Sequence, residues 1–160
     1  MIAPESIAGV VCDTAAVVAV VDELGGANRA GYALYDRARQ RGLTLAVPYI
    51  VAAKAVLHLP PSGAGLLGAL LFPELYRAPG DPLRATGPRG VWWVERRRPE
   101  RLPGYPAMLG QCGDPVVAYV AAYAVATGWP VATDDPSTYA RLLGRDDALL
   151  MPQLPGSREG

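Results

Sequence analysis

The strongest constraint on this chain is an alternation. Short apolar runs at 10–12, 44–46, 90–95, 131–133 and 148–151 are separated by stretches long enough for helices. Strands that alternate with helices pair in parallel, because a parallel neighbour is reached only through a crossover. The expected fold class is therefore α/β: a short, mainly parallel central sheet in a three-layer α/β/α arrangement.

The punctuation between the runs supports the same reading. Residues 14–24 read as a helix closed at Gly25-Gly26, and Asn28 is a good N-cap for a helix over 30–41 that Gly42 stops. Pro48 suits a first helical turn, which predicts a helix over 49–58. Pro60-Pro61 breaks the pattern, and 65–72 is one more short helix. Residues 73–90, rich in Pro, Gly and Arg, read as an extended loop, and 96–106 as irregular or weakly helical. Residues 115–127 and 136–143 read as the last two helices, with Gly128 ending the first.

A chain of 160 residues is most simply one domain, expected over 1–154 with a frayed tail over 155–160. Hydrophobic residues make up 51%, which excludes general disorder. No run approaches the roughly 20 apolar residues that span a bilayer, and the N-terminus lacks a signal-peptide pattern, so the expectation is a cytoplasmic protein with no membrane partner. The 15 basic and 15 acidic residues balance, which excludes a broadly cationic nucleic-acid binder while allowing a local basic patch. Cys12 and Cys112 are too few for a disulfide framework or a thiolate metal site and read as small packed residues.

The acids stand at informative places. Asp13 follows the first apolar run and precedes a helix. Asp114 opens the helix over 115–127. Asp134 and Asp135 end the run Val131–Thr133. Functional groups of open α/β sheets collect outside the carboxyl ends of the strands. Each acid also has a structural role open to it as a helix N-cap, where a carboxylate suits the dipole. Together they point to one shared site.

In these segments the chain resembles the PIN-domain family, which includes the VapC-type toxin ribonucleases. Val10-Val11-Cys12-Asp13-Thr14-Ala15-Ala16-Val17 resembles its opening strand, acid and helix. Val47-Pro48-Tyr49-Ile50-Val51-Ala52-Ala53-Lys54 resembles its Val-Pro helix, which usually carries a glutamate where Lys54 stands. Asp114 with Val117, Ala121, Ala122 and Ala124 resembles the helix of the third acid, and Val131-Ala132-Thr133-Asp134-Asp135 the strand ending in Thr-x-Asp. Residues 59–106 diverge.

The resemblance implies a metal-dependent ribonuclease, weakened or degenerate, that hydrolyses RNA phosphodiesters. Asp13, Asp114 and Asp135 would be catalytic and would ligate Mg²⁺ or Mn²⁺, with Thr133 and Asp134 in support. Hard oxygen ligands suit Mg²⁺, and the metal would activate a water and offset phosphate charge. Lys54, the only lysine, sits at the fourth catalytic position with the opposite sign. Unit charges 4 Å apart interact by roughly 4 kcal/mol at an effective dielectric of 20, so Lys54 could replace the cation and leave metal binding weak or absent. Its long stem equally allows the amine to reach solvent. The alternative function is thus an inactive PIN-like binding or regulatory module in which Lys54 replaces the metal charge.

Arg96, Arg97, Arg98 and Arg101 follow Trp92-Trp93 and are candidates for RNA phosphate contacts, with a tryptophan stacking on a base; the competing reading is a solvated edge beside packed aromatics. His58, the only histidine, reads as a surface or capping residue. The expected partners are RNA, an antitoxin-like protein and a second copy of the chain. The homodimer would use Tyr32 and Tyr35 or the apolar segment 66–75.

Overall fold

The computed structural model describes residues 8–24, 29–71, 92–144 and 149–150. Five strands form one sheet: β1 (Gly9–Cys12), β2 (Thr44–Pro48), β3 (Trp92–Glu95), β4 (Val131–Thr133) and β5 (Leu149–Leu150). Their order is β3-β2-β1-β4-β5, and every pairing is parallel.

Among the described residues seven helices accompany it: α1 (Thr14–Leu24), α2 (Arg29–Arg41), α3 (Tyr49–Val56), α4 (Pro61–Leu71), α5 (Tyr105–Cys112), α6 (Pro115–Thr127) and α7 (Pro136–Leu143), with a 3₁₀ turn at Pro99–Arg101. Helices α1 to α4 pack on one another, and α5 to α7 form a second group. The path β1-β2-β3 runs one way across the sheet and β4-β5 returns the other way. Right-handed crossovers then put the two helix groups on opposite faces, which gives three α/β/α layers.

The central strands are buried on both faces, as a parallel sheet requires. Val10, Val11, Leu45, Val47 and Val131 are each at most 2% exposed, and full burial of such a side chain contributes roughly 1.5–3 kcal/mol. Helix α6 covers one face with residues 118–124, all buried, and its alanines bring the backbone close to the strands. Gly128 closes α6 in the left-handed conformation, at φ 74°. Gly9 lies directly beneath the Trp129 ring. A Cβ there would stand 2.7 Å from two ring carbons, so only glycine fits.

The helix boundaries differ from the sequence expectation in three places. Helix α4 begins at Pro61, four residues before the expected start, because proline is pre-organised for a first helical position. Helix α5 occupies a stretch where none was expected. Pro106 lies in its first turn, where it is tolerated, and the glycines at both caps take positive φ. Helix α3 stops at Val56, and tight backbone bonds from Leu57 N–H to Lys54 O and from His58 N–H to Ala55 O carry the chain onward. The expected caps at Gly25-Gly26 and Asn28, the loop 73–90 and the tail 155–160 lie outside the described residues.

Among the described residues no helix is long and apolar enough to cross a membrane. Leu67 and Leu71 are buried inside the protein, and the Tyr35 ring packs 6.2 Å from that of Trp92. Leu66 is half-buried against the core, and Tyr32, Leu70, Phe72, Leu75 and Tyr76 lie outside the side chains described.

Candidate functional site

Strand order reverses between β1 and β4. A crevice opens where a doubly wound sheet changes direction, outside the carboxyl ends of its strands. A cavity of about 480 Å³ lies there, lined by Asp13, Lys54, His58, Asp134, Asp135 and Tyr139 among others.

Register builds the first part of the site. Val11 pairs with Val131 and Cys12 with Ala132, so the next rung sets Asp13 beside Thr133. The Asp13 N–H donates to Ala132 O at 3.2 Å, extending the ladder by one residue. The Asp13 carboxylate turns into the first turn of α1 and accepts from Ala16 N–H at 3.0 Å. Thr133, fully buried, donates its hydroxyl to Asp13 and accepts from Asp135 N–H at 2.9 Å. One threonine therefore holds the Asp13 side chain and the Asp135 backbone in place.

Asp13 is 7% exposed. Burial pushes its carboxyl up to about 6, and the nearby Asp134 charge adds to the rise. The hydrogen bonds from Thr133, Ala16 and Ala15 oppose that rise without cancelling it. Asp135 behaves oppositely. It caps α7, accepting from Thr138 Oγ1 at 2.7 Å, Ser137 Oγ at 3.0 Å and Thr138 N–H at 3.5 Å. The Thr138 hydroxyl is the main cause holding its pKa below the usual range, with Arg141 helping.

Asp114 caps α6, and one of its oxygens accepts from Val116 N–H at 2.9 Å and Val117 N–H at 3.3 Å. Val116 and Val117 line the cavity, whereas Asp114 does not. Asp134, exposed, does line it and acts directly on Asp13. Among the described residues no three His, Cys, Asp or Glu side chains stand close enough to hold one metal ion.

Tyr139 lies in the field of the acids. It is 3% exposed, and its ionisation is suppressed first by burial and then by Asp13, Asp114, Asp135 and Cys112 in that order. The phenol therefore stays a neutral donor in the field of all three expected catalytic acids. The sequence reading missed it. The available signal was helical spacing, since Tyr139 lies four residues after Asp135 and so on the same face of α7.

Lys54 is half-buried and also lines the cavity, with exposed His58 four residues later. Among the described residues Lys54 makes no ion pair, and it is absent from the charges acting on Asp13 and Asp135. The expected neutralisation of the acids by Lys54 is thus not made through a direct pair.

The arginine segment lies elsewhere. Arg96, Arg97, Arg98 and Arg101 are exposed beyond β3, and none lines the cavity. Arg97 is anchored: its N–H donates to buried Glu95 at 2.9 Å, its Nε lies 3.8 Å from the same carboxylate, and its carbonyl accepts from Tyr119. Trp93 is 57% exposed, while Trp92 is half-buried against Tyr35. Cys12 is a buried free thiol, and burial pushes its pKa up.

No protein-family model matches the chain, and no similar curated protein is found.

Proposed function

We propose that this chain is a PIN-like metal-dependent ribonuclease whose centre is the cavity between β1 and β4. The observation that carries the reading is Asp13: a buried carboxylate at the sheet's switch point, raised to about 6, with two further aspartates lining the same cavity. A carboxylate in that state lacks a compensating positive charge, and a divalent cation would supply it.

The donor set suits a hard cation. Mg²⁺ is commonly held by one or two carboxylates, with waters and substrate phosphate oxygens completing its shell. Asp13 and Asp135 are the carboxylates best fixed for that task, with Asp134 beside them and Asp114 behind Tyr139. When bound, the metal would lower the pKa of a water and offset charge on the phosphate under attack. Thr133 holds Asp13 in place, and the neutral Tyr139 hydroxyl is available to donate to an oxygen in the cavity. Arg96, Arg98 and Arg101 follow β3 at the same carboxyl edge, two strands from β1. At about 4.8 Å per strand that is roughly 10 Å, within reach of a neighbouring phosphate on one RNA strand.

The alternative, an inactive module in which Lys54 replaces the metal charge, has no Lys54–carboxylate pair in its support. The test is calorimetric Mn²⁺ titration beside a gel assay on single-stranded RNA, with wild type, Asp13→Asn and Asp135→Asn. Metal binding and cleavage in wild type, both lost in Asp13→Asn, are expected. Absence of Mn²⁺ binding, or cleavage that survives Asp13→Asn, defeats the ribonuclease reading.

A further inference from the structure

The cavity lining carries both signs of charge: Asp13, Asp134 and Asp135 are acids, and Lys54 and His58, both supplied by the α3 segment, are basic. We infer that Lys54 and His58 form a seat for a phosphate group, so that the residue at the fourth position contacts the anion of the substrate; this rests on the cavity being the functional site proposed above.

Three observations carry the inference. The first is helical spacing. Lys54 and His58 are four residues apart, and the backbone bonds from Leu57 to Lys54 and from His58 to Ala55 continue the winding past the end of α3. Both side chains therefore reach the same cavity, as its lining records.

The second is the state of the ammonium. Lys54 is half-buried and makes no ion pair among the described residues, although three carboxylates line the same cavity. A lysine serving to neutralise the acids would pair with one of them. Here it faces the open cavity, and an ammonium with three donors is a good point-charge partner for a phosphate oxygen.

The third is the mixed charge of the lining. Without metal the aspartates weaken a phosphate's hold on the cavity, and the Lys54 ammonium must outweigh them. A phosphate has oxygens enough to face Lys54 and His58 on one side and a cation held by the acids on the other. The imidazole of His58 offers an N–H donor in either protonation state. The cavity, at about 480 Å³, has room for a phosphate and its ester neighbours.

The experiment separates this from the ribonuclease reading because it runs without metal. Inorganic phosphate is titrated calorimetrically into metal-free wild type, Lys54→Gln, Lys54→Arg and His58→Gln, and a single-stranded RNA oligonucleotide is titrated in parallel. Phosphate binding is expected in wild type. It should weaken at least about tenfold in Lys54→Gln, the loss of a charge-assisted hydrogen bond, and be kept in Lys54→Arg. Binding to RNA that weakens in the same variants identifies the backbone as the source. Lys54-dependent binding confined to inorganic phosphate identifies a small phosphorylated ligand on the same seat. Equal phosphate affinity in wild type and Lys54→Gln, or no phosphate binding to either, overturns the inference. Asp13→Asn controls for the other reading: it should lose Mn²⁺ while keeping phosphate binding.

Discussion

Replacing Asp13 by asparagine should make this protein more stable at neutral pH, although the side chain sits at the centre of the candidate site. Asparagine keeps an oxygen that can accept from Ala16 N–H and Thr133. What it removes is a buried charge. The carboxyl moves from 3.8 in an ordinary setting to about 6 in the fold, at 7% exposure. A pKa raised by folding means that the ionised form is disfavoured in the native state. The stability associated with the protonated form is therefore complete below 3.8, declines as pH rises, and is fully lost once pH passes about 6. The gap corresponds to ~3 kcal/mol at pH above about 7. At ~2–4 °C per kcal/mol for a chain of this size, Tm should rise by roughly 6–12 °C at neutral pH. Urea unfolding of both proteins between about pH 4 and 8 measures it, with m-values checked for equality. The difference should be small at the acid end and grow across the window. A variant that is no more stable than wild type near pH 7.5, or whose difference is flat with pH, would refute the claim that burial dominates at Asp13.

Asp114→Ala should cost about 1 kcal/mol through loss of the α6 cap, while Asp114→Asn, an equally good cap, should be near-neutral, so any fall in Mn²⁺ affinity in the asparagine variant reports the charge alone. Gly9→Ala should cost roughly 1–3 kcal/mol, because the new methyl meets the Trp129 ring, and Trp129→Leu in the same chain should recover part of the loss in thermal melts. Lys54→Glu should tighten Mn²⁺ binding calorimetrically while abolishing phosphate binding; a variant that does neither would place Lys54 outside the site. Tyr119→Phe should cost about 1 kcal/mol in urea unfolding, since it strips the partner from the Arg97 carbonyl.

The layered fold was legible in the sequence because each central strand is buried on both faces and so reads as an unbroken apolar run. The change from a short apolar run to a longer stretch bounded by helix stops and caps then marks the crossovers. Proline hid one helix and the start of another. Pro61 and Pro106 look like breakers in a one-dimensional reading, yet at the first turn of a helix each is favourable. In the site, the positions of Asp13 and Asp135 followed from the strand ends, whereas the dual hydrogen bonding of Thr133 depends on the β1–β4 register, which the sequence does not state. The exchange of prominence between Asp114 and Asp134 was not legible. Which of two neighbouring carboxylates faces a cavity depends on helix rotation, and a capping acid turns toward its own backbone. Tyr139 was hidden by its type, since a tyrosine on an amphipathic helix is usually core. The direction of Lys54 depends on a rotamer, which no sequence pattern encodes.

Having a single lysine in the sequence, and that lysine half-buried in the cavity, has a practical result. Amine-selective reagents can reach only two kinds of nitrogen in this chain, the terminal amine and Lys54. A mild acylating or reductive-alkylating label would therefore act as an address for the cavity. Its rate at Lys54, read by peptide mass against the terminal amine as an internal reference, would report occupancy without an engineered probe. A ligand that fills the cavity should slow one reaction and leave the other unchanged.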